Sequence, residues 1–239
     1  YYARLEHTWW GEEDDWYNWW ELGGRYIDSQ NQRGDLLVRQ GEFWFNLSGP
    51  LQSFVRINPE FGQRGYQGEV FDENILGVSF RMQPSGSMSL GLNSRTGRTV
   101  DYSNAQPADQ VLLRPFLDLN LGRHLRLNFN HAYQQLEVDE GRLFTANLSE
   151  LRGVYQFNIR TFFRAIVQYL DVDRDPTLYE DEVDARNRNL FGQLLFSYKV
   201  NPRTVFFLGY SEGLESTDDI GFTTMSRAVF MKVGYAWVK

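Results

Sequence analysis

The stretch Ser226-Arg227-Ala228-Val229-Phe230-Met231-Lys232-Val233-Gly234-Tyr235-Ala236-Trp237-Val238-Lys239 decides the fold. Val229, Met231, Val233, Tyr235 and Trp237 share one face. Ala228, Phe230, Lys232, Gly234 and Ala236 share the other. This is a period of two, which makes a strand with one apolar face.

The same alternation recurs up the chain. Residues 188–200 set Leu190, Leu194, Phe196, Tyr198 and Val200 against Gln193, Ser197 and Lys199. Residues 110–121 set Val111, Leu113, Leu117 and Leu119 against Arg114, Asp118 and Asn120. Residues 51–61, 74–83, 87–96 and 124–134 repeat the pattern. In 161–171 it is blurred by Phe162, Ile166 and Leu170. Less regular strands are expected over 1–10, 16–28, 36–48, 142–157 and 203–211. The count is about thirteen strands of about ten to fifteen residues, longer than the five or six usual in soluble sheets.

Turn chemistry gives the strands an order. Tight turns are expected at Gly49-Pro50, Pro84-Ser85-Gly86, Gly122-Arg123, Asn158-Ile159-Arg160 and Asn201-Pro202-Arg203. Longer polar connections are expected at 62–73, 97–109, 172–187 and 212–225, with a short exception near 138–141. Tight turns at one end and longer loops at the other describe an antiparallel up-and-down transmembrane β-barrel. An odd strand count does not close as a bacterial barrel, which has an even number. With no initiator Met before Tyr1, residues 1–239 are expected to be one barrel domain or the C-terminal part of a larger one.

Composition narrows the alternatives. The 239 residues carry 24 Lys+Arg and 31 Asp+Glu, a net charge of −7, with no cysteine. This removes disulfides, zinc–cysteine sites and thiol nucleophiles, and it argues against nucleic acid as a partner. No apolar run approaches eighteen residues, so no transmembrane helix is expected. The mean hydropathy of −0.48 suits a soluble protein, but equally a barrel whose strands alternate. A soluble β-sandwich or lectin-like binder therefore stays open.

If the apolar face meets lipid, the interior receives Arg56, Arg81, Arg95, Arg114, Asp118, Arg126, Arg164, Lys199 and Lys232. It also receives Arg152, Glu21, Glu42 and Glu60. A cation facing hydrocarbon at the midplane costs about 2–4 kcal/mol. Two readings follow: a cationic lumen that favours anions, or a lattice of Arg–carboxylate pairs bracing a closed one. Trp9, Trp10, Trp16, Trp19, Trp20, Tyr235 and Trp237 gather at strand ends and are expected to form an aromatic girdle at the membrane boundary.

No constellation carries a specific chemistry. His7, His124 and His131 have no acid or serine at a telling spacing, so no catalytic residue, metal or cofactor is assigned, and a barrel-borne hydrolase is the least favoured reading. Asp171, Asp173, Asp175 and Glu182 have the spacing of a calcium loop, but Pro176 stands where such a loop needs Gly. A solvated acidic loop is the simpler expectation. Arg33-Gly34-Asp35 falls in a hairpin loop, where these residue types belong in any case.

Residues 194–199, the Asn201-Pro202 turn, Val205-Phe206-Phe207-Leu208-Gly209-Tyr210 and Phe230–Tyr235 resemble the C-terminal outer-membrane barrel of a bacterial family of unknown function. Its members often carry an N-terminal carbohydrate-binding family-nine-like domain. The resemblance covers about a fifth of the chain, and Lys239 departs from the terminal aromatic of barrel-assembly signals. It implies a preceding domain and further strands, and no catalytic residues. The expected function is a porin-like channel or scaffold in the outer membrane of a Gram-negative bacterium. It would pass or anchor a protein partner or a carbohydrate-related ligand. Its surroundings would be lipid and lipopolysaccharide, with a periplasmic or surface protein as a further partner.

Overall fold

The computed structural model describes residues 1–217 and 220–236. They form one antiparallel sheet of 13 strands in sequence order. The strands are β1 (Tyr2–Trp10), β2 (Trp19–Gln30), β3 (Leu36–Gly49), β4 (Ser53–Tyr66), β5 (Glu69–Ser85), β6 (Met88–Asp101) and β7 (Gln106–Leu121). They continue with β8 (Leu125–Val138), β9 (Gly141–Asn158), β10 (Thr161–Arg174), β11 (Arg186–Asn201), β12 (Thr204–Ser216) and β13 (Thr223–Tyr235). One 3₁₀ turn, Pro176–Leu178, lies between β10 and β11.

The sheet is not closed. Its edges, β1 and β13, run in the same direction, so pairing them directly would be parallel. The barrel is therefore partial: antiparallel closure needs an odd number of further strands.

The two ends differ. Tight turns at residues 50–52, 86–87, 122–124, 159–160 and 202–203 stand at one end, with the longer 11–18 connection as the exception. The opposite end holds 31–35, 67–68, 102–105, 139–140, 175–185 and, of the β12–β13 connection, the described residues 217 and 220–222. Two expected long loops are thus corrected. Residues 62–66 pair with 69–73, and 97–101 with 106–110, as straight continuations of their strands. Arg64, Glu69, Asp72 and Glu73 make both faces polar there, so the alternation fades while the ladder continues. A tilted membrane strand needs only about 9–11 residues. The strands at this loop end are longer than that span requires.

The burial pattern is inverted relative to a soluble sheet. In β4, Glu60 is 8% exposed and the next residue, Phe61, is 53% exposed. Carboxylates sit on the covered face and aromatic rings on the open one. A water-soluble sheet does the opposite. The covered polar face is the barrel interior, and the apolar face meets hydrocarbon.

Candidate functional site: the barrel interior

Register puts all nine charged residues expected in the interior on one face. Asn46 pairs with Arg56, Phe54 with Arg81, Gly77 with Arg95, Asn93 with Arg114 and Asn128 with Asp118. Val154 pairs with both Arg126 and Arg164, Lys199 with Val205 and Phe207 with Lys232. Directly paired residues lie on the same face.

From β2 to β6 most charges on this wall are tied into a lattice. Glu42 is 4% exposed and takes Arg25 Nε on one oxygen at 2.5 Å and Arg56 Nη2 on the other at 3.0 Å. Glu60 accepts from Gln40 at 2.7 Å, Arg95 at 3.1 Å and Asn58 at 3.1 Å. Arg64 meets Glu73 at 2.8 Å. At the β1 side, Trp44 Nε1–H donates to Glu21 at 2.7 Å, joined by Asn46 at 2.8 Å. The guanidinium groups of Arg4 and Arg56 stand 5.1 and 5.4 Å from the Trp44 ring centre. Trp44 lies flat because Gly23 faces it: a Cβ at Gly23 would come within 2.3 Å of the indole.

From β7 to β13 the lattice lapses. Arg114, Arg126, Arg152, Lys199 and Lys232 make no ion pair among the described residues. Arg164 donates to Gln193 at 3.0 Å. Arg81 of β5 stands outside the lattice of its own half, 5.6 Å from the Phe116 ring centre of β7. The acids here are held by amides: Asn128 donates to Asp118, and Gln168 donates to Glu150 at 3.2 Å. The Arg–carboxylate pairs thus gather in one half of the interior wall, and the cations without an acid partner in the other. The blurred residues Phe162, Ile166 and Leu170 face inward too, beside Phe191, Leu195, Phe207 and Phe230.

Residues 175–185 fold back onto the loop end. Leu178 and Tyr179 pack on Ala108, Leu136, Val138 and Leu143. Asn104 donates to the Leu178 carbonyl at 3.4 Å, and the Tyr179 hydroxyl donates to the Leu143 carbonyl at 3.4 Å. Asp175 caps the 3₁₀ turn through Thr177, whose N–H and O–H donate at 3.0 and 2.6 Å. The hydroxyl's bond is the leading reason that the Asp175 carboxyl is held below its ordinary range. Burial pushes the Tyr179 phenol up.

The calcium-like spacing resolves differently. Asp171 and Asp173 belong to β10 and pair with Arg186 at 2.8 and 3.4 Å. No group of three metal-ligating side chains converges among the described residues. Arg33-Gly34-Asp35 lies in the β2–β3 turn, where Gly34 has φ +90° and Asn31 Oδ1 accepts from the Arg33 and Asp35 amides.

The tryptophan placement needs correction. Trp9 and Trp20 pair on the outer face, but Trp10 and Trp19 pair on the face of Glu21, next to Phe54 at 6.1 Å. Adjacent residues in a strand point to opposite faces, so a Trp-Trp dipeptide cannot place both rings in lipid. Trp16 lies in the 11–18 connection, edge-on to Tyr17, because β2 begins only at Trp19. Tyr235 is outward at the turn end of β13. Trp237 lies outside the described residues.

Trp44 and the Glu21 cluster are interior features that the tryptophan reading missed. Alternation with Glu42 and Asn46 was the available signal. Among the histidines, His124 bonds the Gln156 carbonyl at 2.5 Å. His131 bonds the Ser149 hydroxyl at 2.9 Å on the outer face.

No protein-family model and no curated protein sequence matches the chain. Among solved structures, the outer membrane channel DcaP of Acinetobacter baumannii matches with TM-score 0.56 and 11% identity. The match covers 98% of this chain and 85% of that one. OmpT, an outer membrane protein of Vibrio cholerae in its trimer form, matches with TM-score 0.49 and 8% identity, over 99% and 91%. Likeness at this identity concerns the fold: the sheet is similar to the wall of an outer-membrane channel barrel.

Proposed function

We propose that this chain is the wall of a channel in the bacterial outer membrane and that the channel prefers anions. The observation that carries the reading is the inverted burial: covered Glu42 and Glu60 beside open Phe43 and Phe61. An apolar belt outside and a wet, charged interior is the arrangement of a passage through lipid. The β2–β6 half of the interior is close to neutral. The unpaired cations from β7 to β13 set the sign of the field. Tight turns at 50–52, 86–87, 122–124, 159–160 and 202–203 face the periplasm in this reading. The 175–185 loop then lies at the cell surface, where lipopolysaccharide forms the outer leaflet.

The test is reconstitution in planar bilayers under a KCl gradient. Discrete conductance steps with a reversal potential on the chloride side support the reading. Folded protein that leaves the bilayer silent, or a cation-selective pore, contradicts it.

A second reading is a barrel that holds a partner polypeptide, with the family resemblance suggesting a carbohydrate-related role. The inward apolar residues Ile166, Leu170, Phe191, Leu195, Phe207 and Phe230 favour it, since apolar side chains in a watery lumen gain from being covered. It predicts a partner that co-purifies in mild detergent.

A further inference from the structure

Three arginines share the interior wall near the turn end. Arg126 of β8 and Arg164 of β10 both pair with Val154 of β9, from its two sides. Two strand spacings set their backbones about 10 Å apart. Arg152 is two residues from Val154 on β9 and shares its face, diagonal to both. Val154 thus has an arginine on the strand at each side and a third diagonal to both; Arg126 and Arg152 line one groove with it, and the Arg164 guanidinium reaches toward Gln193 of β11.

The three guanidinium groups are under-occupied. Arg126 and Arg152 carry no hydrogen bond or ion pair among the described residues. Arg164 spends one nitrogen on Gln193, and its Nε is buried with no partner. Asp118 and Glu150 line the same groove and are held by the amides of Asn128 and Gln168; they offset part of the arginine charge and leave the guanidinium donors themselves unspent. Arg126, Arg152 and Val154 line an interior groove of about 700 Å³. Elsewhere on this wall the covered acids Glu42 and Glu60 do have arginine partners, so the fold builds such pairs where the lattice needs them.

We propose that Arg126, Arg152 and Arg164 form an oxyanion subsite that takes small solutes bearing a carboxylate or phosphate group. The planar guanidinium fork fits both groups bidentately, and charge-assisted bonds of this kind are the strong ones. The subsite rests on the channel reading, since it gives the passage its solute class. The net charge of the three arginines with the two acids is small, so the subsite acts by direct bonds more than by its distant field.

The test uses the protein in planar bilayers and, separately, in detergent. Citrate and inorganic phosphate are the probes, and glucose is the neutral control. Citrate should interrupt the chloride current and glucose should not. The triple variant Arg126→Gln, Arg152→Gln, Arg164→Gln should raise the half-blocking citrate concentration about tenfold or more. Lys232→Gln removes an interior charge outside the subsite and should change it less than about twofold. A retained shift between boiled and unboiled samples on a gel shows that each variant is folded. Calorimetric titration of phosphate and citrate in detergent reads the subsite without any current. A silent bilayer with citrate heat that the triple variant loses keeps the subsite and sinks the channel. Equal block or equal heat in native and triple variant overturns the subsite while leaving the channel standing. An equal loss in Lys232→Gln overturns it too, since the effect would then be general charge.

Discussion

Trp9 of β1 and Trp20 of β2 stack nearly parallel, ring centres 3.9 Å apart and planes 12° off. They are directly paired on the outer face at the turn end. Trp20 continues to Phe45 at 6.3 Å. The three rings form an aromatic row on the outer face at this end, the placement that suits amphipathic rings at a membrane boundary. Such ring pairs are worth about 0.5–1.5 kcal/mol beyond the area they bury. A double-mutant cycle with Trp9→Ala and Trp20→Ala, read by urea refolding into lipid vesicles, should give a coupling energy in that range. Strict additivity would show that the stack does nothing.

Glu42 is the keystone of the paired half. Glu42→Gln leaves Arg25 and Arg56 without a counter-charge on a covered wall. Both arginines keep some contact with water, at 41% and 33% side-chain exposure. The expected loss is therefore about 1–3 kcal/mol, below that of a fully buried pair. Arg25→Gln should cost less, because Arg56 remains on the carboxylate. Equilibrium unfolding in vesicles checks the order, and the reverse order would contradict the lattice.

Gly23 is the seat of Trp44. Gly23→Ala drives a Cβ into the indole and lifts it from Glu21. Overpacking of this kind costs about 1–3 kcal/mol. The variant should unfold earlier in urea and show Trp44 emission shifted to the red. Unchanged emission would mean that the ring has room to move.

Much of the strand order was legible because turn residues and alternation are local. Residues 110–121 and 188–200 show their two faces at a glance. The three arginines beside Val154 were not legible as a group, since their placement depends on the register of three strands. Loop 62–73 was misread for a physical reason: where both faces of a strand are polar, a paired strand and a polar loop have one composition. The inward Trp10 and Trp19 were misread by residue type, when parity with Glu21 would have placed them.

The 175–185 loop has a pH signature. Asp175 has a depressed carboxyl because Thr177 donates to its charged form. A depressed folded value contributes stability that is present above the ordinary aspartate range, about 3.9. That stability is lost as pH falls through the folded value. The docked loop should hold at neutral pH and loosen only under acid. Thr177→Val should move the Asp175 titration, followed by carbon-13 NMR in micelles, upward toward the ordinary range. An unmoved titration would remove Thr177 as its cause.

The central claim is that the apolar face meets lipid and the charged face meets water. The chain has no cysteine, so single-cysteine variants from Phe54 to Phe61 of β4 report one position each. Spin labels at these positions in vesicles are read for collision with oxygen, which concentrates in hydrocarbon, and with a water-soluble nickel chelate. The account predicts oxygen maxima at 55, 57, 59 and 61 and nickel maxima at 54, 56, 58 and 60, alternating by residue. Nickel maxima at the odd positions, or no alternation, would contradict it.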